Sequence, residues 1–374
     1  MKNNVVISPS DINGHSESSP REFLSDRSFV IGPNDPVLIT GATGFIGSRV
    51  VECLIAMGFQ NLRCFTRGSK KMDGLEAIIS KCSPKRRIEV IKGNLLRRED
   101  CDAASNGATI VIHLAAGTGE KSFPDAFMNS VVTTRNLLES SLRQGCLQRF
   151  ALVSSFAVYS NRQKRRLLDE SCPIEEHPEK RDAYCYAKVK QEEIVNEYAQ
   201  KTGARTVILR PGSVYGIGNR EITGRVGIGT FGLFLHLGGS NRIPFTYVDN
   251  CAYAIALAAL TPGVDGEVFN VLDDEVPSSR QFLRAYKKYV RNFKSIYIPH
   301  FLSYGLCLSW EKYSEWSQGQ LPPTFTRRQW SSLWRKTHYS NAKLKKRLGW
   351  SPQVSTAEAM QRYFAKGSQD EQTA

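Results

Sequence analysis

A doubly wound α/β fold on a mostly parallel sheet is predicted by three features of the sequence. Seven short apolar or β-branched runs recur along the chain, helical stretches separate them, and the first run passes directly into a turn of regularly spaced glycines. Strands that read as continuous apolar runs are those covered on both faces, and the helices between them are the crossovers that parallel pairing requires.

The runs are VLIT (37–40), LRCFT (62–66), IEVI (88–91), TIVIHL (109–114), FALVSS (150–155), TVILR (206–210) and VFNV (268–271). Helical patterns fill Ser48–Met57, Val131–Gln144 and 183–201. After Arg210 the pattern loosens into glycine- and aromatic-rich sequence, then re-enters a strand-and-helix pattern at FTYVDNCAYAIALAAL (245–260). This divides the chain into a polar extension (1–34), a sheet domain (35–211 and 244–272) and a smaller C-terminal lobe (212–243 and 273–368). The extension has no apolar core behind a basic end, so it reads as neither a secretory signal nor a spanning helix.

With 374 residues and 41% apolar content the chain can bury an ordinary core. Its nine cysteines are scattered, odd in number and never spaced Cys-x-x-Cys, which fits reduced thiols and a cytoplasmic location better than a disulfide framework or a zinc site. The six histidines show no metal spacing, and His113, ending the fourth run, is expected to be structural or near a cofactor. No metal is expected.

A formal charge of +14 points to an anionic partner. The cations form short patches (Lys85-Arg86-Arg87, Lys164-Arg165-Arg166, Lys345-Lys346-Arg347) without a nucleic-acid module or interleaved stacking aromatics, so nucleic acid is not expected. The longest uncharged runs, Val226–Asn241 and Ser295–Trp310, are 16 residues each, and glycine, Pro299 or His300 interrupts them. A spanning helix needs about 20 apolar residues. The second run is compatible with peripheral docking on a membrane, with core packing or a dimer contact as the alternative.

VLITGATGFIGSRVVECLIAMG runs from strand to helix through Gly41, Gly44 and Gly47. Such spacing supplies a tight turn, room for backbone to approach a pyrophosphate, and close helix-on-strand packing, with the helix N-terminus attracting the anion. An NAD-specific site places a carboxylate after the second strand for the ribose hydroxyl, but here CFTRGSKK offers Arg67. A guanidinium can grip a 2′-phosphate in a fork, so NADP is the expected cofactor and NAD the alternative.

The stretch DAYCYAKVKQEE contains two overlapping Tyr-x-x-x-Lys pairs, Tyr184/Lys188 and Tyr186/Lys190, and a third, Tyr339/Lys343, lies downstream. With 14 tyrosines such spacing alone is weak evidence. Turning 183–201 as a helix puts Ala187, Ile194, Val195, Tyr198 and Ala199 on the sheet-facing side, with Tyr184 and Lys188 inside that arc. Tyr186 and Lys190 fall opposite, beside Glu193 and Glu197, where water is expected. A phenol with pKa about 10 needs a nearby cation to serve as a base near neutrality. LVSSFAVYS supplies Ser154 and Ser155 at the end of the preceding strand.

The G-x-x-G-x-x-G spacing, the strand-end serine and the helical Tyr-x-x-x-Lys together resemble the extended short-chain dehydrogenase/reductase superfamily, over about residues 36 to 365. The resemblance implies a Rossmann sheet domain and a substrate-binding lobe. It implies catalysis by Ser155, Tyr184 and Lys188, in which Tyr184 exchanges a proton with substrate, Ser155 orients the substrate oxygen, and Lys188 lowers the phenol pKa and holds the nicotinamide ribose. It implies cofactor contacts from Gly41, Thr43, Gly44, Phe45, Ile46, Gly47 and Arg67, and from Asn94 and Leu95 in GNLLRRED near adenine. Leu114, Ala115 and Ala116 in HLAAG are implied beside ribose, and Pro211, Ser213 and Val214 in LRPGSVYG along the nicotinamide edge, with Tyr184 and Lys188.

Two signals about substrate conflict. Sugar-nucleotide epimerases of this superfamily commonly carry Asn where Pro211-Gly212-Ser213 stands, yet Arg242 lies seven residues before Asp249, as their substrate-binding arginine often does. S-F-A-V-Y lacks the acidic residue of sugar dehydratases. The C-terminal stretch PPTFTRRQWSSLWRKTHYSNAKLKKRLGWSPQVSTAEAM looks most like the 3β-hydroxysteroid and sterol dehydrogenase branch, implying an apolar alcohol or ketone. VGIGTFGLFLHLGG would suit a mobile wall of such a pocket, or a packed helix or loop of the lobe. The superfamily likeness also implies that a homodimer is common.

Overall fold

The computed structural model describes residues 28–68, 72–83, 86–117, 122–160, 167–230, 232–317 and 326–365. Residues 1–27 of the expected extension, Lys85, the Lys164-Arg165-Arg166 patch, Phe231 and residues 322–325 and 366–368 lie outside them.

All seven apolar runs become strands of one sheet. These are β1 (Val37–Thr40), β2 (Asn61–Thr66), β3 (Arg87–Lys92), β4 (Ile110–His113), β5 (Arg149–Val153), β7 (Thr206–Pro211) and β12 (Val268–Val271). The two-residue strand β6 (Leu167–Leu168) lies outside this sheet. The order is β12-β7-β5-β4-β1-β2-β3 and every pairing is parallel. β1 sits at the point where the order reverses, which is where open α/β sheets leave a crevice beyond the strand ends.

Alternation along the strands explains the layers. Val37, Ile39, Cys64, Ile112, Val153 and Leu209 point to one face and pack under α1 (Phe45–Ala56) and α7 (Val248–Leu260). Leu38, Phe65, Val111, Leu152 and Ile208 point to the other, against α3 (Arg98–Ser105), α5 (Thr133–Arg143) and α6 (Ala183–Thr202). Between the first and third of these helices, α2 (Met72–Ser80) follows β2, and α4 (Phe123–Ala126) leads through a π-helical turn, Phe127–Val132, into α5. α7 is apolar on nearly every side and is buried throughout except at Asp249, as a helix without a polar face must be.

The small lobe contains β8 (Ser213–Tyr215) paired with β11 (Phe245–Tyr247), and a sheet ordered β13-β10-β9 from β9 (Gly227–Thr230), β10 (Leu233–His236) and β13 (Ser295–Tyr297). Its helices are α8 (Ser279–Tyr289), α9 (His300–Trp316), α10 (Arg327–Trp334) and α12 (Thr356–Phe364). An aromatic core that includes Tyr215, Phe245, Phe282, Tyr286 and Tyr363 holds it together.

Three expectations change. Residues 29–31 belong to the body and not to an extension: the Val30 amide donates to the Leu260 carbonyl at 2.9 Å, Phe29 meets the Phe59 ring, and Ile31 is buried. α11 (Ala342–Leu348), assigned to the substrate lobe, puts Leu344, Leu348 and Trp350 into the sheet-domain core. Within the stretch 226–239, β9 and β10 pair antiparallel instead of forming a helix or loop, and β10 also pairs with β13.

Candidate active site

The glycine turn is built for close approach. Gly41 has φ +72°, and a β-carbon there would press on the Ala115 amide at 3.1 Å. A β-carbon on Gly47 would overlap the Gly41 carbonyl oxygen, so this glycine lets α1 seat against the turn. α1 begins at Phe45 without a side-chain cap, and the first backbone bond of its ladder comes from the Ser48 amide to the Gly44 carbonyl. The amides ahead of it, at Phe45, Ile46 and Gly47, are the unsatisfied donors that make a helix N-terminus an anion site. Glycines without β-carbons beside uncapped amides fit a pyrophosphate.

Thr43 reaches the Thr66 hydroxyl at the end of β2 (3.5 Å), which places Arg67, exposed and without a partner among the described residues, next to the turn. Asn94 is exposed after β3, and its Oδ1 accepts from the Leu96 amide at 3.1 Å, so half of its side chain shapes its own loop. Leu95 is buried, whereas Leu114, Ala115 and Ala116 line the end of β4 partly open. Pro211 is buried at the end of β7, followed by half-buried Ser213 and Val214. These segments all sit at carboxyl ends of main-sheet strands or just beyond them.

The catalytic candidates converge from β5 and α6. Asp182 caps α6, accepting from the Cys185 amide at 2.8 Å, and so fixes the helix start just before Tyr184. Arg181 donates to the Ala157 and Tyr159 carbonyls at 2.8 and 2.9 Å, stapling the turn after Ser155 to that start. Ser155 Oγ accepts from the Ala157 amide at 3.2 Å, and its hydroxyl is close enough to the Tyr184 phenol to lower that phenol's pKa. Tyr184 is 36% exposed, so it is reachable from outside, while the surrounding protein raises its pKa by desolvation against the lowering effect of Ser155.

Lys188 is buried, and its Nζ donates to the Val153 carbonyl at 2.9 Å. Desolvation brings its pKa down to about 8, opposed by Glu192. The ammonium is aimed at the end of β5, and desolvation is the largest influence on the phenol, raising its pKa.

The helical wheel needs correction. Tyr186 is half-buried and not fully in water; its ring packs edge-on against Phe123 at 5.4 Å and beside Phe127, because α4 and the π turn lie along that flank. Lys190 does stay at the surface, paired with Glu193. Tyr339 of the third pair stacks on Phe156, and Lys343 bridges to Glu267.

Sequence reasoning missed a polar core beneath the site. Thr40 Oγ1, His113 Nδ1, His113 Nε2 and Thr134 Oγ1 form a chain with contacts of 2.7 and 2.9 Å, and Gln191 on α6 donates to Thr134 at 2.7 Å. Burial, with help from Lys188, holds the His113 pKa down at about 3, so the ring is neutral. One residue on, Glu192 takes a bidentate bond from Arg210 (2.9 and 2.6 Å), both side chains being buried, and Arg210 lies over the Tyr159 ring at 4.7 Å. Polar residues inside an otherwise apolar helix–sheet interface were the available signal, but their partners lie far off in sequence.

Arg242 is exposed in the small lobe, where its backbone bridges to Ser278 at the start of α8. Among the described residues no group of three His, Cys, Asp or Glu side chains could hold a metal.

Comparison with known proteins now decides the family. The model of the NAD dependent epimerase/dehydratase family matches residues 37–271. The chain belongs to that family.

Among curated members, it is similar to a 3-beta-hydroxysteroid dehydrogenase of Mycolicibacterium neoaurum, 26% identical over 87% of this chain and 89% of that protein. It is also similar to the uncharacterized UDP-glucose epimerase YtcB of Bacillus subtilis, 27% identical over 63% of this chain and 76% of the other. A solved UDP-glucuronic acid 4-epimerase of Bacillus cereus, crystallised with UDP-glucuronic acid and NAD, superposes with a TM-score of 0.67 at 20% identity, covering 88% of this chain and 98% of that one. That last likeness is one of fold. The family member is thus an NAD-dependent enzyme by class, with oxidoreductase and epimerase relatives.

Proposed function

We propose that this family member is an NAD(P)-dependent oxidoreductase that interconverts a hydroxyl and a ketone on an apolar, sterol-like substrate. The observation that carries the reading is the placement of Ser155 just beyond β5 beside Tyr184 at the start of α6, one helical turn from Lys188 and at the same end of the sheet as the glycine turn. Similarity to the hydroxysteroid dehydrogenase over most of the chain supports the apolar substrate.

A nicotinamide dinucleotide, when bound, supplies hydride transfer. The amides of Phe45, Ile46 and Gly47 would hold its pyrophosphate, and Arg67 its 2′-phosphate, which makes NADP the preferred form in this reading. Tyr184 moves the proton at the substrate oxygen, and Ser155 orients that oxygen by hydrogen bonding. A phenol held above its usual pKa is protonated near neutrality. Lys188, held by the Val153 carbonyl one helical turn from the phenol, would be the residue that meets the ribose of a bound cofactor.

A second reading, a nucleoside-diphosphate-sugar epimerase or reductase, is favoured by exposed Arg242 in the small lobe and by the likeness to YtcB. The deciding experiment offers the protein hydroxysteroids and UDP-sugars in parallel, each with NADP and NAD. Net formation of reduced cofactor with the steroid supports the first reading. Epimer formation from the sugar without net cofactor change overturns it.

A further inference from the structure

The small lobe carries a surface that the proposed chemistry leaves unused. α9 is held by one narrow stripe: Ser303, Cys307 and Ser314 are buried, the Trp330 indole donates to Ser303 Oγ at 2.9 Å, and His300 Nε2 meets the Leu237 carbonyl at 2.9 Å. Spacings of three, four and seven residues put these groups on one side of the helix. The opposite side is exposed and largely apolar, with Phe301 81% exposed and Trp316 76%, joined by Leu302, Leu306 and Tyr313, while exposed Lys312 and Glu315 lie in the last turns. β13, immediately before it, adds exposed Ile296 and Tyr297. Contiguous apolar surface of this kind marks an interaction site.

The charge around the patch selects its occupant. From Val276 to Trp310 the chain has six cations, Arg280, Arg284, Lys287, Lys288, Arg291 and Lys294, and no Asp or Glu. Arg280, Arg284 and Lys287 share one side of α8 by their spacing. The Arg280 guanidinium lies over the Tyr297 ring at 5.3 Å and Lys287 Nζ donates to Ser295 Oγ at 3.0 Å, so this cationic stripe runs alongside β13. A second copy docking through the same face about a two-fold axis would bring two cationic stripes together. An anionic surface would neutralise them. The apolar part is one exposed side of a helix, and it carries aromatic residues suited to the boundary between headgroups and acyl chains.

We infer that α9 and β13 dock this protein peripherally on an anionic lipid bilayer. Phe301, Leu302 and Leu306 enter the acyl boundary and the α8 cations meet the headgroups. The helix lies in the membrane plane: among the described residues no helix is long and apolar enough to cross. This inference is independent of the proposed reaction, since it uses neither the glycine turn nor Ser155, Tyr184 and Lys188.

Flotation of the full chain with lipid vesicles tests it, without substrate or cofactor. The chain is expected to float with vesicles of phosphatidylcholine containing phosphatidylserine at low salt, to float poorly with phosphatidylcholine alone, and to be released by salt as screening shortens. Substituting Phe301→Ser together with Leu306→Ser should weaken partitioning about tenfold or more, and Arg284→Ser about fivefold. Circular dichroism and thermal melting, expected to be unchanged, show that the substituted chains are folded. No flotation of the unsubstituted chain with anionic vesicles at low salt would overturn the inference, as would equal flotation of the Phe301/Leu306 variant. So would a dimer seen in sedimentation velocity that the same substitutions dissolve and that persists unchanged when vesicles are added.

Discussion

The ammonium of Lys188 is tied to the carbonyl of Val153 at 2.9 Å, which locks the first turns of α6 to the end of β5, two residues before Ser155. Burial lowers the Lys188 pKa to about 8, and the Glu192 carboxylate opposes that fall. Replacing the lysine with methionine keeps the bulk and removes the charge. Lys188→Met is expected to lower kcat by about a hundredfold and to raise the cofactor Kd, with the fold retained by circular dichroism. Steady-state kinetics with fluorescence titration of the reduced cofactor checks both.

The glycine turn makes a prediction about binding that needs no substrate. A methyl group at Gly47 would collide with the Gly41 carbonyl, forcing α1 away from the turn. Gly47→Ala should abolish dinucleotide binding measured by calorimetry and destabilise the chain, by about 1–3 kcal/mol for an overpacked site. Binding at unchanged affinity would remove the turn from the cofactor site.

Arg67 makes a prediction about cofactor choice. With a guanidinium next to the turn and no carboxylate there, KM for NADP(H) is expected to lie well below that for NAD(H), and Arg67→Ala should erase the difference, a loss of about 1.5–3 kcal/mol for a charged hydrogen bond. A preference for NAD(H) in the unsubstituted enzyme would contradict the assignment.

His113 couples stability to acid. Its folded pKa of about 3 lies below the unfolded value of about 6.5, so the unfolded chain binds the extra proton. The stabilisation is complete above about pH 6.5 and is lost as pH falls from there through about 3. Asp273 opposes this: burial raises its pKa to about 7, so its contribution is greatest below about pH 4 and is lost as pH rises through 7. His113→Gln should therefore lower stability near neutrality and flatten its decline in acid, as read from urea midpoints at several pH values. An unchanged acid slope would show that the ring does not carry the effect.

Much of this was legible in advance where local pattern and burial agree. Each apolar run became a strand because the sheet is covered on both faces, and the strand–glycine–helix order fixed the turn. The polar interior of α6 was not legible. Gln191 and Glu192 are buried because Thr134 and Arg210 reach them from other elements, 57 and 18 residues away. Tyr186 is half-buried for the same reason, since Phe123 and Phe127 approach from α4 and the π turn. A helical wheel sees spacing along one element and nothing of what packs on it. The β9–β10 pairing escaped because its glycine-rich strands lack the alternation that marks a strand.

The most direct test of the account compares Tyr184→Phe with Tyr186→Phe under saturating cofactor, once a turned-over substrate is in hand. Loss of the Tyr184 hydroxyl should cut kcat about a hundred- to ten-thousand-fold with cofactor affinity nearly intact, while Tyr186→Phe stays near the parent rate. Turnover retained in the first and lost in the second would contradict it.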